Sequence, residues 1–94
     1  MNIGILTLHI YLPGCKSLKE KRSYIKPLIH RVHREYNVSI AEIKLQDKWQ
    51  ESILSIVLVS NDRSHLNEYL CNVMGFIKTY YKNIELYSES IEII

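Results

Sequence analysis

Residues 12–22, Leu-Pro-Gly-Cys-Lys-Ser-Leu-Lys-Glu-Lys-Arg, end an apolar strand and restart the chain almost at once as a basic helix. Pro13 cannot donate to a sheet ladder, and Gly14 supplies the backbone freedom of a tight turn. Ser17 precedes Glu20 by three residues, the spacing of a capping box: the hydroxyl accepts from the Glu20 N–H and the carboxylate reaches back to the Ser17 N–H. The rest of the chain is organised around this junction.

Residues 2–12 are nearly all apolar and read as a central strand, with Leu6, Leu8, Ile10 and Leu12 on one face. Ile3, Ile5, Thr7, His9 and Tyr11 make its other face. A first helix over 18–36 carries Leu18, Ile25, Leu28, Ile29, Val32 and Tyr36 on one side. Pro27 falls opposite that stripe, which predicts a single bent helix in place of two. On the flank opposite the cations, Arg31 and Glu35 have the spacing of an i, i+4 pair.

Residues 38–45 read as a second strand whose apolar parity shifts midway, the mark of a bulge, and residues 52–60 as a third. A polar hairpin over 46–50 joins them. Asn61 or Asp62 caps a second helix built on Leu66, Tyr69, Leu70, Val73, Met74 and Ile77, in which Gly75 would permit close packing on the sheet. A last strand over 84–93 has a broken alternation around Ser88–Ser90.

The order βαββαβ predicts an α+β, ferredoxin-like domain over residues 1–94: a four-stranded antiparallel sheet with strands one and three central and both helices on one face. Ninety-four residues suffice for a conventional core. The apolar N-terminal stretch lacks a basic leader and is too short to span a bilayer, so the expectation is a cytoplasmic protein. Cys15 and Cys71 form no C-x-x-C pair and are expected to be reduced.

The net charge of +2 is unevenly placed. Residues 16–36 hold seven basic and two acidic side chains, a local +5, which leaves −3 elsewhere. Such asymmetry suggests a polyanionic partner. Lys16, Lys19, Arg22, Lys26, His30 and Arg34 are the candidate nucleic-acid-binding residues, against the plain alternative that they solvate an exposed helix.

The second candidate surface is the sheet face without helices. Strand three offers it no aromatic, and strand one only Tyr11 and His9, which argues against base stacking. Ile5, Tyr11, Val57 and Val59 better suit self-association, as in a homodimer, or a protein partner. In the hairpin, Asp47, Trp49 and Gln50 are a candidate loop contact, although the simpler reading has Trp49 covering the end of the core while Asp47 fixes the turn. His30 and His33 lie one turn apart without a third ligand, and His9 and His65 stand alone. Neither a metal nor a cofactor is expected. The chain has no nucleophile motif, phosphate loop or paired carboxylates, and the expectation is a protein that is not an enzyme.

Three stretches, LPGCKSLKEKR at 12–22, NVSIAEIKLQDKWQ at 37–50 and VSND at 59–62, together resemble the bacterial YlxP-like family over essentially the whole chain. The resemblance implies a ferredoxin-like domain of unassigned molecular function. It also implies a gene setting among ribosome-maturation and translation-initiation factors, hence a pointer to structured RNA or the small ribosomal subunit. It carries over no catalytic residues. The chain departs from the family's pattern at Pro27, which bears on the straightness of the first helix and not on the fold.

Overall fold

The alternation that groups Leu6, Leu8, Ile10 and Leu12 leaves all four no more than 3% exposed in the computed structural model, which describes residues 1–94. They lie on or beside β1 (Asn2–Tyr11), which pairs antiparallel along its whole length with β3 (Glu51–Ser60). β4 (Glu85–Ile93) flanks β1 and β2 (Ser39–Lys44) flanks β3, in the order β2-β3-β1-β4. Helices α1 (Leu18–Glu35) and α2 (Arg63–Tyr80) complete the expected βαββαβ order. Ile25, Leu28 and Val32 of α1 and Leu70, Val73 and Ile77 of α2 share one core with the aliphatic row of β1 and with Leu54 and Ile56 of β3. Both helices therefore cover one face, and the other is left open.

Ser17 caps α1, its hydroxyl accepting from the Glu20 N–H at 3.1 Å. The return half of the expected capping box is displaced by one residue: the Glu20 carboxylate accepts from the Lys16 N–H instead of the Ser17 N–H. α1 runs unbroken through Pro27, whose ring lies on the exposed side. Asp62, not Asn61, caps α2 by accepting from the Ser64 and His65 N–H groups.

The glycine that sets the height of α2 over the sheet is Gly4, not Gly75. A Cβ at Gly4 would stand 3.0 Å from Leu70 Cδ1 and 3.3 Å from Leu66 Cδ2, whereas one at Gly75 would meet nothing within 4 Å. Gly75 lies on the exposed side of its helix. The expected Arg31–Glu35 pair is also absent. Arg31 reaches across to α2, its guanidinium 5.4 Å from the Phe76 ring centroid and 4.6 Å from that of Tyr80, because a planar, weakly hydrated cation stacks well on aromatic faces.

Lys21 falls on the buried stripe of α1 and is only 1% exposed. Its Nζ lies 2.8 Å from Glu42 Oε2 on β2 and donates to the Leu45 carbonyl. The same carboxylate oxygen accepts from the Ser52 hydroxyl at 2.6 Å. Leu45 holds a left-handed backbone, φ 64°, a costly conformation for a branched side chain, and its carbonyl also accepts from Lys48 N–H. The amine of Lys21 thus fixes the entrance of the hairpin. The expected bulge in β2 lies here, between Glu42 and Lys44, and a second one occurs where β4 passes His9 and Ile10.

Replacing Lys21 by Met strands a carboxylate that is only 19% exposed. Urea denaturation should show a loss of about 3 kcal/mol, and a second change, Glu42→Leu, should recover most of it. Gly75→Ala should raise stability by up to about 1 kcal/mol in the same assay, since the helix gains propensity and nothing is crowded.

Candidate nucleic-acid interface

A helix that buries Ile25, Leu28 and Val32 must turn its remaining residues outward, and α1 presents cations there. Lys16, Lys19, Arg22, Lys26, His30 and Arg34 are all exposed, as the sequence pattern requires. The ion pairs of the molecule are His9–Glu51, Lys21–Glu42, Arg34–Glu35 and Lys78–Glu89. Lys16, Lys19, Arg22 and Lys26 have no carboxylate partner. Arg34 reaches Glu35 only at 3.9 Å, with both side chains about half exposed or more, a contact of little energetic weight. Lys21, which belongs to the local charge excess by sequence, is neutralised inside the protein and contributes nothing to this surface.

Between α1 and β2 run two open depressions of about 340 Å³ each, which share Lys26 and Ile29. One is bordered by Arg22 and Gln46, and the other by His30, His33 and Ile40. The cations thus border a shallow groove lined in part by Ile25, Ile29 and Ile40 and in part by the Lys21–Glu42 pair. His33 Nδ1 stands 3.0 Å from the Val38 carbonyl, an acceptor only, so that nitrogen carries the proton and donates. No three His, Cys, Asp or Glu side chains are gathered as metal ligands.

The open sheet face is a separate surface. Ile5, Tyr11 and Val57 are half-buried on it, and Val59 is 62% exposed. His9 is not alone: its Nε2 lies 3.0 Å from Glu51 Oε1, and its ring meets Tyr87 edge-on at 5.1 Å. Tyr87 also stacks on Tyr11, with centroids 5.3 Å apart. This third ring comes from the bulge of β4, which breaks the alternation near Tyr87 and frees it from the face that period-two reasoning assigns. Desolvation first, then the neighbouring Tyr11, Glu51 and Glu85, raise its phenol above the ordinary range.

The hairpin residues divide. Gln50 anchors the loop, its side-chain amide donating to the Cys15 carbonyl and its main-chain carbonyl accepting from Leu12 N–H. Trp49 does not cover the core: it is 54% exposed, beside Asp47 on an open depression. The loop turns on Leu45 and Lys21, so the large ring is left on the rim. Both cysteines are free, Cys15 buried and Cys71 exposed. No helix is long and apolar enough to cross a membrane.

Comparison with known proteins agrees with this architecture. Two designed proteins of known structure superpose on the whole chain: Foldit4, with a TM-score of 0.55 at 16% identity over 97% of its length, and LFR1 1, a design with a ferredoxin fold, with 0.53 at 14% identity over 83%. At such identities they show the fold alone. The uncharacterized protein YlxP of Bacillus subtilis (strain 168) is 37% identical over 78 residues, which is 83% of this chain and 85% of that protein. The model of a family described as "Protein of unknown function (DUF503)" matches residues 3–91, and the chain belongs to that family.

Proposed function

We propose that this protein is a non-enzymatic cytoplasmic accessory factor that docks on structured RNA, such as that of the small ribosomal subunit, through the cationic flank of α1. One observation carries the reading: Lys16 in the β1–α1 turn and Lys19, Arg22 and Lys26 on α1 stand exposed and without a carboxylate partner. Cations already paired would have to surrender a partner before meeting phosphate. These do not. At a rise of 1.5 Å per residue, Lys19 and Arg34 are about 22 Å apart along the helix axis, enough to follow several phosphates of a folded RNA. Bound polyanion would release condensed counterions, and affinity would then be set by salt.

The test is RNA binding by fluorescence anisotropy across a salt series, with ribosomal RNA fragments as the probe. With four or five phosphates engaged, log affinity should fall against log salt with a slope of about −3 to −4. Reversing Lys19, Lys26 and Arg34 to Glu should weaken binding at low salt by roughly a hundredfold and flatten the slope by about one for each phosphate left without a cation, with the thermal unfolding profile unchanged. Binding that survives the three reversals, or that ignores salt, would remove α1 as the RNA-facing surface.

A further inference from the structure

The face of the sheet opposite the helices carries, toward one end of β1 and β3, an apolar patch that the proposed RNA surface leaves unused. Ile3 and Ile5 of β1 stand opposite Val59 and Val57 of β3, and Thr7 stands opposite Ser55. Val59 and Tyr87 are among the most exposed large apolar side chains of the molecule. The ionised rim is uneven. Glu51, opposite Tyr11, pairs with His9. Glu85 and Glu92 lie on β4, opposite Tyr11 and Ile5, while Lys44 lies on β2, opposite Ile53. Neither Lys44, Glu85 nor Glu92 has an ion-pair partner within the chain. Phosphate would be repelled by such a rim, so this is not an extension of the α1 surface.

We infer that the open sheet face is the interface of a symmetric homodimer, in which β4 of each copy lies over β2 of the other. The register selects that arrangement. A two-fold axis parallel to the strands, lying between the two sheets, sets β1 of one copy over β3 of its partner at the same level. Ile5 then meets the second copy's Val57 and Ile3 meets its Val59, so the apolar patch closes on itself. The same axis carries the Lys44 edge of one copy to the Glu85 edge of the other, displaced by about one side-chain step along the strand. The two-fold axis running across the strands would instead lay β4 on β4 and bring Glu85 and Glu92 of the two copies together. Like charges at a closing interface oppose it.

The size is adequate. Ten-residue central strands and four strands in breadth give a footprint of roughly 600 Å² in projection, which side-chain relief raises toward the roughly 800 Å² per partner of a standard interface. The packing angle of aligned sheets, about 30°, is met by the twist of each sheet.

The experiment is sedimentation equilibrium on the full chain, from micromolar to hundreds of micromolar, with circular dichroism and thermal unfolding to verify each variant's fold. The wild type should rise from 11.1 kDa toward twice that mass. Ile5→Lys and Val57→Glu should each hold it at the monomer mass while the dichroism spectrum is kept. Lys44→Glu and Glu85→Lys should each weaken dimerisation by tenfold or more, and the double variant should regain most of that loss, which a merely hydrophobic or misfolded association would not do. A wild type that stays monomeric throughout overturns the proposal and leaves the face to a protein of other sequence. So does a dimer indifferent to Ile5→Lys. Failure of the double charge swap to restore association overturns the β4-over-β2 arrangement. None of these readings depends on RNA binding, which the α1 reversals address separately.

Discussion

A lysine amine sealed between a helix and the edge of a sheet is the interaction on which the arrangement of this domain turns. Lys21 binds the Glu42 carboxylate and the Leu45 carbonyl at once, and Ser52 completes the carboxylate's shell. Burying such a charge is costly unless its partners are close and its hydrogen bonds are met, as they are here. The arrangement secures the first turns of α1 to β2, and through Leu45 it supports a left-handed residue at the start of the hairpin. It also fixes the rotation of α1 about its own axis. With Lys21 inward, Lys19, Arg22 and Lys26 face out.

The two broad surfaces of the molecule therefore differ in chemistry as well as in architecture. The helical side carries unpaired cations beside a groove that Ile29 and Ile40 help to line. The sheet side joins an aliphatic patch at one end to carboxylates, with a cluster of His9, Tyr11 and Tyr87 at the other. A polyanion suits the first and is opposed by the second. Because β1 contributes to the core with one row and to the sheet surface with the other, the two surfaces are held rigidly back to back, and occupation of one leaves the other accessible.

Much of this is legible in the residues alone. Period-two rows in β1 and β3, and Ser17 at the start of α1, depend on local rules, and local rules are enough to give the topology and that cap, while for α2 they leave Asn61 and Asp62 equal and only the bonds to Ser64 and His65 decide for Asp62. What escapes them is tertiary. A lysine on an apolar stripe reads as surface charge, since only the partner supplied by Glu42, twenty-one positions away, makes it tolerable inside. Arg31 has a plausible acid one turn along its own helix and finds two rings on the next one instead. Tyr87 is hidden by a bulge, which shifts every later side chain by one and can be seen as a break in the pattern without revealing which residue is set free. The candidate cations on α1 are found because they obey the helical wheel, whereas Lys44, Glu85 and Glu92 become related only once strand order and register are known.

Trp49 is the chain's single tryptophan, and it sits on the hairpin rim with about half its surface in water. Its indole is already solvated when the domain is folded, so the intrinsic emission will be red-shifted from the outset and will change little as the interior melts. The fluorophore is correspondingly sensitive to anything that settles on the tip of the loop. For this molecule, the natural optical signal reports visitors to its periphery and is nearly blind to the state of its centre.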